Sequence, residues 1–213
     1  MKYCTACKAK YEDSVSFCSV DGEVLEADPA SIVRALVHAP VSVEQLAARH
    51  PWIDIERVGM YGHSGGGFMT AAALLQPPYN DFFKVGVSQA GNHDNRVYED
   101  DWAEKWQGLL VKNADGTTNY DDQANQNHAK NLKGKLLIAH GTMDLNVPYY
   151  STLLVVDALI KANKDFDLII FPNRGHGFGN EPYMLRRRWD YFVKHLLGVE
   201  PPPYEVKGAP PTS

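Results

Sequence analysis

The sequence predicts an α/β fold in which a parallel sheet is covered by helices on both faces. Three observations carry that expectation. Short apolar runs alternate with helical segments from about Val43 to Leu197. The runs lack the in–out alternation of a sheet with one wet face, so both of their faces must be buried. The residues capable of chemistry follow those runs directly, at the strand ends where parallel sheets gather functional groups.

Composition agrees with a globular chain. Of 213 residues, 44% are hydrophobic and 22% charged, enough to build a core without crosslinks. The net charge is −5, which argues against a dedicated nucleic-acid binder. No apolar run approaches the roughly 18 residues of a membrane-spanning helix, so no membrane partner is expected. The first residues, MKYCTACKAK, contain no apolar leader, and the expected location is cytoplasmic.

Four regions differ in character: a polar, cysteine-bearing segment (1–27), a linker (28–42), the α/β region (43–198) and a proline-rich tail (199–213). Ser42 to Gln45 fits a capping box opening a helix that Pro51 stops. Arg57 to His63 reads as a first strand and Gly65 to Gln76 as a buried helix, ended by Pro77 and Pro78. Phe83 to Ala90 reads as a second strand. Asp101 to Leu110 reads as a helix with Trp102, Trp106 and Leu109 on one face. Val111 to Asn127 is polar loop with a turn at Asp115-Gly116. Lys135 to His140 is a third strand, Pro148 to Ala162 a helix opened by its proline, and Phe166 to Phe171 a fourth strand. The last helix follows Pro182, with Leu185, Trp189, Phe192, Val193 and Leu196 expected on its buried side. Arg186, Arg187 and Arg188 read as a solvated face. His93, His128 and His140 lack ligand spacing and read as structural, while His63, beside Ser64, reads as packing or forming the elbow turn, with tuning of the site as the alternative.

Three strand ends carry the chemistry. Gly62-His63-Ser64-Gly65-Gly66 matches G-x-S-x-G between a strand and a helix, a sharp turn that exposes its serine and requires small neighbours. Gly65 offers its N–H at the start of the helix, where an oxyanion is favoured. Asp144, in HGTMD, lies 80 residues after Ser64, and His176, in NRGHGFG, lies 32 further on. The order Ser…Asp…His is that of an α/β-hydrolase. A serine hydroxyl needs a histidine to take its proton and a carboxylate to fix the histidine's tautomer. The competing reading makes Asp144 a helix cap and His176 an ordinary loop residue.

HPWIDIERVGMYGHSGGGFMT, HGTMDLNVP and NRGHGF together resemble the catalytic domain of the prolyl oligopeptidase family of serine peptidases, nearest its dipeptidyl-peptidase branch. The resemblance runs from about Leu46 to Leu197. It implies an α/β-hydrolase fold acting on short peptides, with Ser64 as nucleophile, His176 as base, Asp144 as its partner and Gly65 as an oxyanion donor. It also implies a proline-side pocket formed by Tyr98, Trp102, Asn146 and Val147, although Tyr98 and Trp102 equally suit helix packing.

The departures shape the expected function. About 60 residues precede Ser64, and the first 40 do not read as strands. The sequence therefore reads as the C-terminal half of the hydrolase fold, truncated on its N-terminal side. It offers no residue for the family's upstream oxyanion donor and no propeller. Loss of one such donor typically costs on the order of 100- to 1,000-fold in kcat. The expected activity is that of a broad carboxylesterase or weak peptidase on peptide or ester substrates. The alternative is a catalytically silent remnant that serves in folding, dimerisation or interaction. A nucleophile strand without its upstream neighbour presents an open edge, to be covered by the N-terminal segment or by a second copy, and a homodimer is expected.

Cys4-x-x-Cys7 and Cys18-x-x-Asp21 are spaced like two knuckles of a zinc ribbon, and three thiolates with a carboxylate can make a closed tetrahedral site. FCSVDGEVL resembles the second knuckle of small ribbons found in bacterial multidomain proteins. A structural zinc is thus expected, with no cofactor for catalysis. Asp21 stands where a fourth cysteine is commoner, and the alternative is a reduced, unmetallated segment.

Overall fold

A computed structural model describes residues 2–3, 10–11 and 43–206. Near the start, β1 (Lys2–Tyr3) pairs antiparallel with β2 (Lys10–Tyr11). Residues 43–49 form helix α1; the capping Ser42 lies outside the described residues. The main body is a four-stranded parallel sheet in the order β3-β4-β5-β6, formed by Val58–His63, Phe83–Gln89, Lys135–Gly141 and Asp167–Phe171. Helices α2 (Gly65–Leu75), α3 (Tyr79–Phe82), α4 (Asp100–Gln107), α5 (Tyr150–Lys161) and α6 (Pro182–Phe192) connect and follow the strands.

The apolar strands fold this way because each face meets a helix layer. On one face Phe83, Leu136 and Ile138 pack with Leu74, Leu75, Val155 and Leu159 of α2 and α5. On the other, Val85, Val87, Leu137 and Ala139 pack with Met184 and Tyr191 of α6 and with Phe171 and Phe178. Neighbouring residues of β5 thus point into two different cores, which is why the strand has no polar alternation. Burying each such leucine or isoleucine contributes about 1.5–3 kcal/mol. Among the described residues no helix is long and apolar enough to cross a membrane.

Three expectations are corrected. Helix α4 stops at Gln107 because Gly108 takes φ 79°, so Leu109 lies beyond it, 71% exposed. The buried residues of α6 are Met184, Arg188, Asp190 and Tyr191, while Trp189 is 46% exposed. Two apolar stripes compete on this helix, and the one centred on Met184 faces the sheet; Phe192 and Leu196 pack beside it. The run Arg186-Arg187-Arg188 is not one solvated face: the Arg188 guanidinium lies 4.3 Å over the Tyr61 ring and 5.1 Å over that of Trp189. The polar stretch before β5 also contains two 3-10 turns, Asp121–Gln123 and Asn125–Asn131. Side chains rather than apolar periodicity hold them, with Asp121 accepting from the Thr118 N–H and Asn125 donating to the Phe68 carbonyl.

Candidate active site

The turn from β3 into α2 places Ser64 at φ 59° and ψ −123°, a strained conformation for a residue with a side chain. Its N–H donates to the Gln89 carbonyl at 2.8 Å, and its own carbonyl accepts from Phe68 N–H at 3.0 Å. A side chain on Gly62 would run into the backbone of Gly66, so the turn can close only on glycine there. Gly65 opens α2, and its N–H therefore has no intrahelical acceptor. That N–H stands next to the serine at a helix N-terminus, the position from which a backbone amide meets an oxyanion. A Cβ on Gly65 would fall 2.8 Å from the Trp102 ring, so the missing side chain lets Trp102 close against the turn.

Asp144, on the turn after β5, has a fully buried side chain. Its Oδ1 accepts from the backbone N–H groups of Asn146 at 3.0 Å and Val147 at 2.9 Å. Its Oδ2 lies 2.7 Å from His176 Nδ1 and 3.3 Å from His140 Nε2. His140 Nε2 is also 3.0 Å from the Val147 carbonyl, and its Nδ1 is 2.7 Å from the Thr152 hydroxyl. Two acceptors face Nε2, so that nitrogen holds the proton and Thr152 donates to Nδ1. Burial pushes the pKa of His140 below the ordinary histidine value, keeping the ring neutral. The carboxylate is thereby fixed to accept the His176 Nδ1–H, which leaves Nε2 of His176 free to take a proton.

His176 opens the 3-10 turn His176–Asn180 after β6. Its ring reaches the serine turn, with its centroid 4.7 Å from that of His63. His63 also packs on Phe178, and its buried Nδ1 has no hydrogen-bond partner. Burial, and then the charge of His176, lower the pKa of His63. The fold thus brings Asp144 and His176 together at the serine turn. His140 is the member that motif spacing missed. The one available signal was the i, i+4 spacing of His140 and Asp144 within HGTMD.

A cavity of about 470 Å³ opens beside Ser64 and runs between α2 and α4. Trp102 lines it, together with Trp106 and Met69. Tyr98, Asn146 and Val147 do not: the Tyr98 hydroxyl donates to Asn146 Oδ1 at 3.0 Å, and Val147 is fully buried. Arg96 donates to both Asp94 and Asp121, tying the loop after β4 to the 3-10 turns that flank the cavity. Cys4, Cys7, Cys18 and Asp21 lie outside the described residues. Among the described residues no cluster of His, Cys, Asp and Glu could hold a metal ion.

The prolyl oligopeptidase family profile matches residues 41–198. A venom dipeptidyl peptidase 4 of Apis mellifera is 30% identical over 154 residues, covering 72% of this chain and 20% of the relative. The human dipeptidyl peptidase 8 is 30% identical over 155 residues, covering 73% of this chain and 16% of the relative. Among solved structures, a putative dipeptidyl aminopeptidase IV of Bacteroides ovatus superposes with TM-score 0.68 at 29% identity, covering 79% of this chain and 24% of that one. The acylaminoacyl peptidase of Pyrococcus horikoshii gives TM-score 0.64 at 25% identity, covering 78% of this chain and 27% of that one. The chain therefore spans about a fifth of the length of these curated relatives and about a quarter of these solved chains.

Proposed function

The chain belongs to the prolyl oligopeptidase family, and from that premise we propose that it is a serine hydrolase working through an acyl-enzyme. His176 Nε2 takes the proton of Ser64 Oγ as that oxygen attacks the substrate carbonyl. The Gly65 N–H meets the oxyanion. The bond to the leaving group breaks as His176 returns the proton to it, and water then releases the acyl group by the reverse sequence. Asp144 holds the imidazole in the tautomer this needs. The observation that carries the reading is the 2.7 Å contact between Asp144 Oδ2 and His176 Nδ1 beside a strained serine turn.

Ester hydrolysis should exceed amide hydrolysis, because activated esters need less acid assistance to their leaving group and less oxyanion stabilisation. Turnover of a proline dipeptide amide equal to that of a p-nitrophenyl ester would contradict this. A fluorophosphonate probe tests the nucleophile directly. Labelling of the wild type and not of Ser64→Ala supports the hydrolase. No labelling of either leaves the silent folding or interaction module as the better account.

Two further parts belong to the proposal. Cys4, Cys7, Cys18 and Asp21 form a donor set suited to a structural zinc, and the β1–β2 pair brackets the first two of them in sequence. Metal analysis should find about one zinc per chain, lost in Cys18→Ala. The chain also pairs with a second copy through the edge of β3.

A further inference from the structure

We propose that the acyl side of the Ser64 site is a slot for an uncharged, extended apolar chain, so that the preferred substrates carry medium-length linear acyl groups. This rests on the hydrolase reading and names its substrate class. One wall of the cavity at Ser64 is a single face of α2, formed by Gly65, Met69, Ala72 and Gln76 at three- and four-residue spacing. From Gly65 to Gln76 that face is about 16 Å long at 1.5 Å per residue, so the space is long rather than round. Trp102 and Trp106, four residues apart on α4, form the facing wall, with their ring centroids 5.4 Å apart.

The lining chemistry selects the occupant. No Asp, Glu, Lys or Arg lines the slot. Its polar groups are mainly side-chain amides, so a charged chain would find no counter-ion there. Cyclic residues such as proline would leave most of its length empty, and Tyr98, Asn146 and Val147 are not among its walls. Two glycines keep its mouth open. Gly65 admits Trp102 to the wall, and a Cβ on Gly66 would meet nothing within 4 Å. The slot therefore begins at the nucleophile itself, and an acyl chain bound to Ser64 can enter it without crossing a side chain.

Hydrolysis of p-nitrophenyl acetate, butyrate and octanoate tests this. Each buried methylene is worth up to about fourfold, so over four methylenes kcat/KM should rise from butyrate to octanoate by as much as about 200-fold. Gly66→Phe and Met69→Trp, each placing a ring in the slot, should bring the octanoate-to-acetate ratio close to one. A flat chain-length series, or a ratio that survives both substitutions, overturns the proposal. Binding separates it from the chemistry. In Ser64→Ala, decanamide and not acetamide should shift the tryptophan emission from Trp102 and Trp106, and Gly66→Phe should remove that shift. Failure of all ester turnover with decanamide binding intact would sink the hydrolase reading alone. Absence of decanamide binding would sink the slot.

Discussion

Asp144 accepts two backbone N–H groups and the His176 Nδ1–H, and His140 Nε2 stands 3.3 Å from its Oδ2. The two backbone N–H groups and the nearby His140 hold the carboxylate in one orientation, so its role depends on its accepting capacity. Asp144→Asn should keep the fold yet present an amide N–H to His176, favouring the wrong tautomer. Ester kcat should fall by roughly 10⁴ with KM little changed. His140→Phe removes one donor from Asp144 without touching His176, and steady-state kinetics should give a loss of about 10- to 100-fold, the worth of a hydrogen bond to a charged group. Ser64, Asp144 and His176 were legible because their order and strand-end positions follow from chain connectivity. His140 was not, since burial and contacts between distant elements define its role, and His63 was legible only as a neighbour of the serine. His93 gives a stability prediction at the same scale. Its Nδ1 is 3.0 Å from the Asn125 amide nitrogen, while Nε2 is buried without a partner. Burial, with nearby His140 acting in the same direction, pushes its pKa down to about 3. In the unfolded chain the ring titrates near 6.5, so between those values the unfolded state binds the extra proton. The stabilisation from a neutral His93 is complete above about pH 6.5 and declines as the pH falls toward 3, with a limiting slope of about 1.4 kcal/mol per pH unit. Urea unfolding at several pH values should show a shallower acid decline for His93→Gln than for the wild type. Parallel curves would refute this.

At the scale of elements, helix α6 shows how a packed partner overrides periodicity. Its sequence offers two apolar stripes, and the sheet selects Met184 and Tyr191, with Arg188 carried between them. Arg188 has no carboxylate partner among the described residues. Its guanidinium lies over Tyr61 and reaches Gln89 Oε1 at 3.4 Å, so its stem and π-contacts stabilise it. Arg188→Ala should cost about 1–2 kcal/mol by urea unfolding, and Arg188→Met less, because methionine restores the packed stem. An unchanged midpoint for Arg188→Ala would show the guanidinium to be surplus. The four strands were legible from apolar runs and α2 from its small residues, because burial on all sides leaves a compositional mark. The turns at 121–131 were not, because their order comes from Asn and Asp side chains bonding to backbone. Asn125 illustrates this: it is fully buried and ties α2 to the loop after β4 through Phe68 and His93.

For the whole molecule, the unresolved balance lies at the edge of β3. Among the described residues β3 pairs only with β4, so no described strand meets its other edge. Beside that edge Tyr61 is 48% and Trp189 46% exposed, with their rings 5.8 Å apart and the Arg188 guanidinium stacked on both, an exposed aromatic rim. The proposed second copy satisfies both features. A two-fold axis next to β3 would pair the strand with its own symmetry mate and stack the two aromatic rims in one isologous contact. Light scattering at tens of micromolar should then give twice the chain mass, and the melting temperature should rise with protein concentration. Tyr61→Lys places a charge in the centre of that contact and should shift the species toward single chains. A wild type of single-chain mass at that concentration, with a melting temperature independent of dilution, would mean that the edge is not a self-pairing surface.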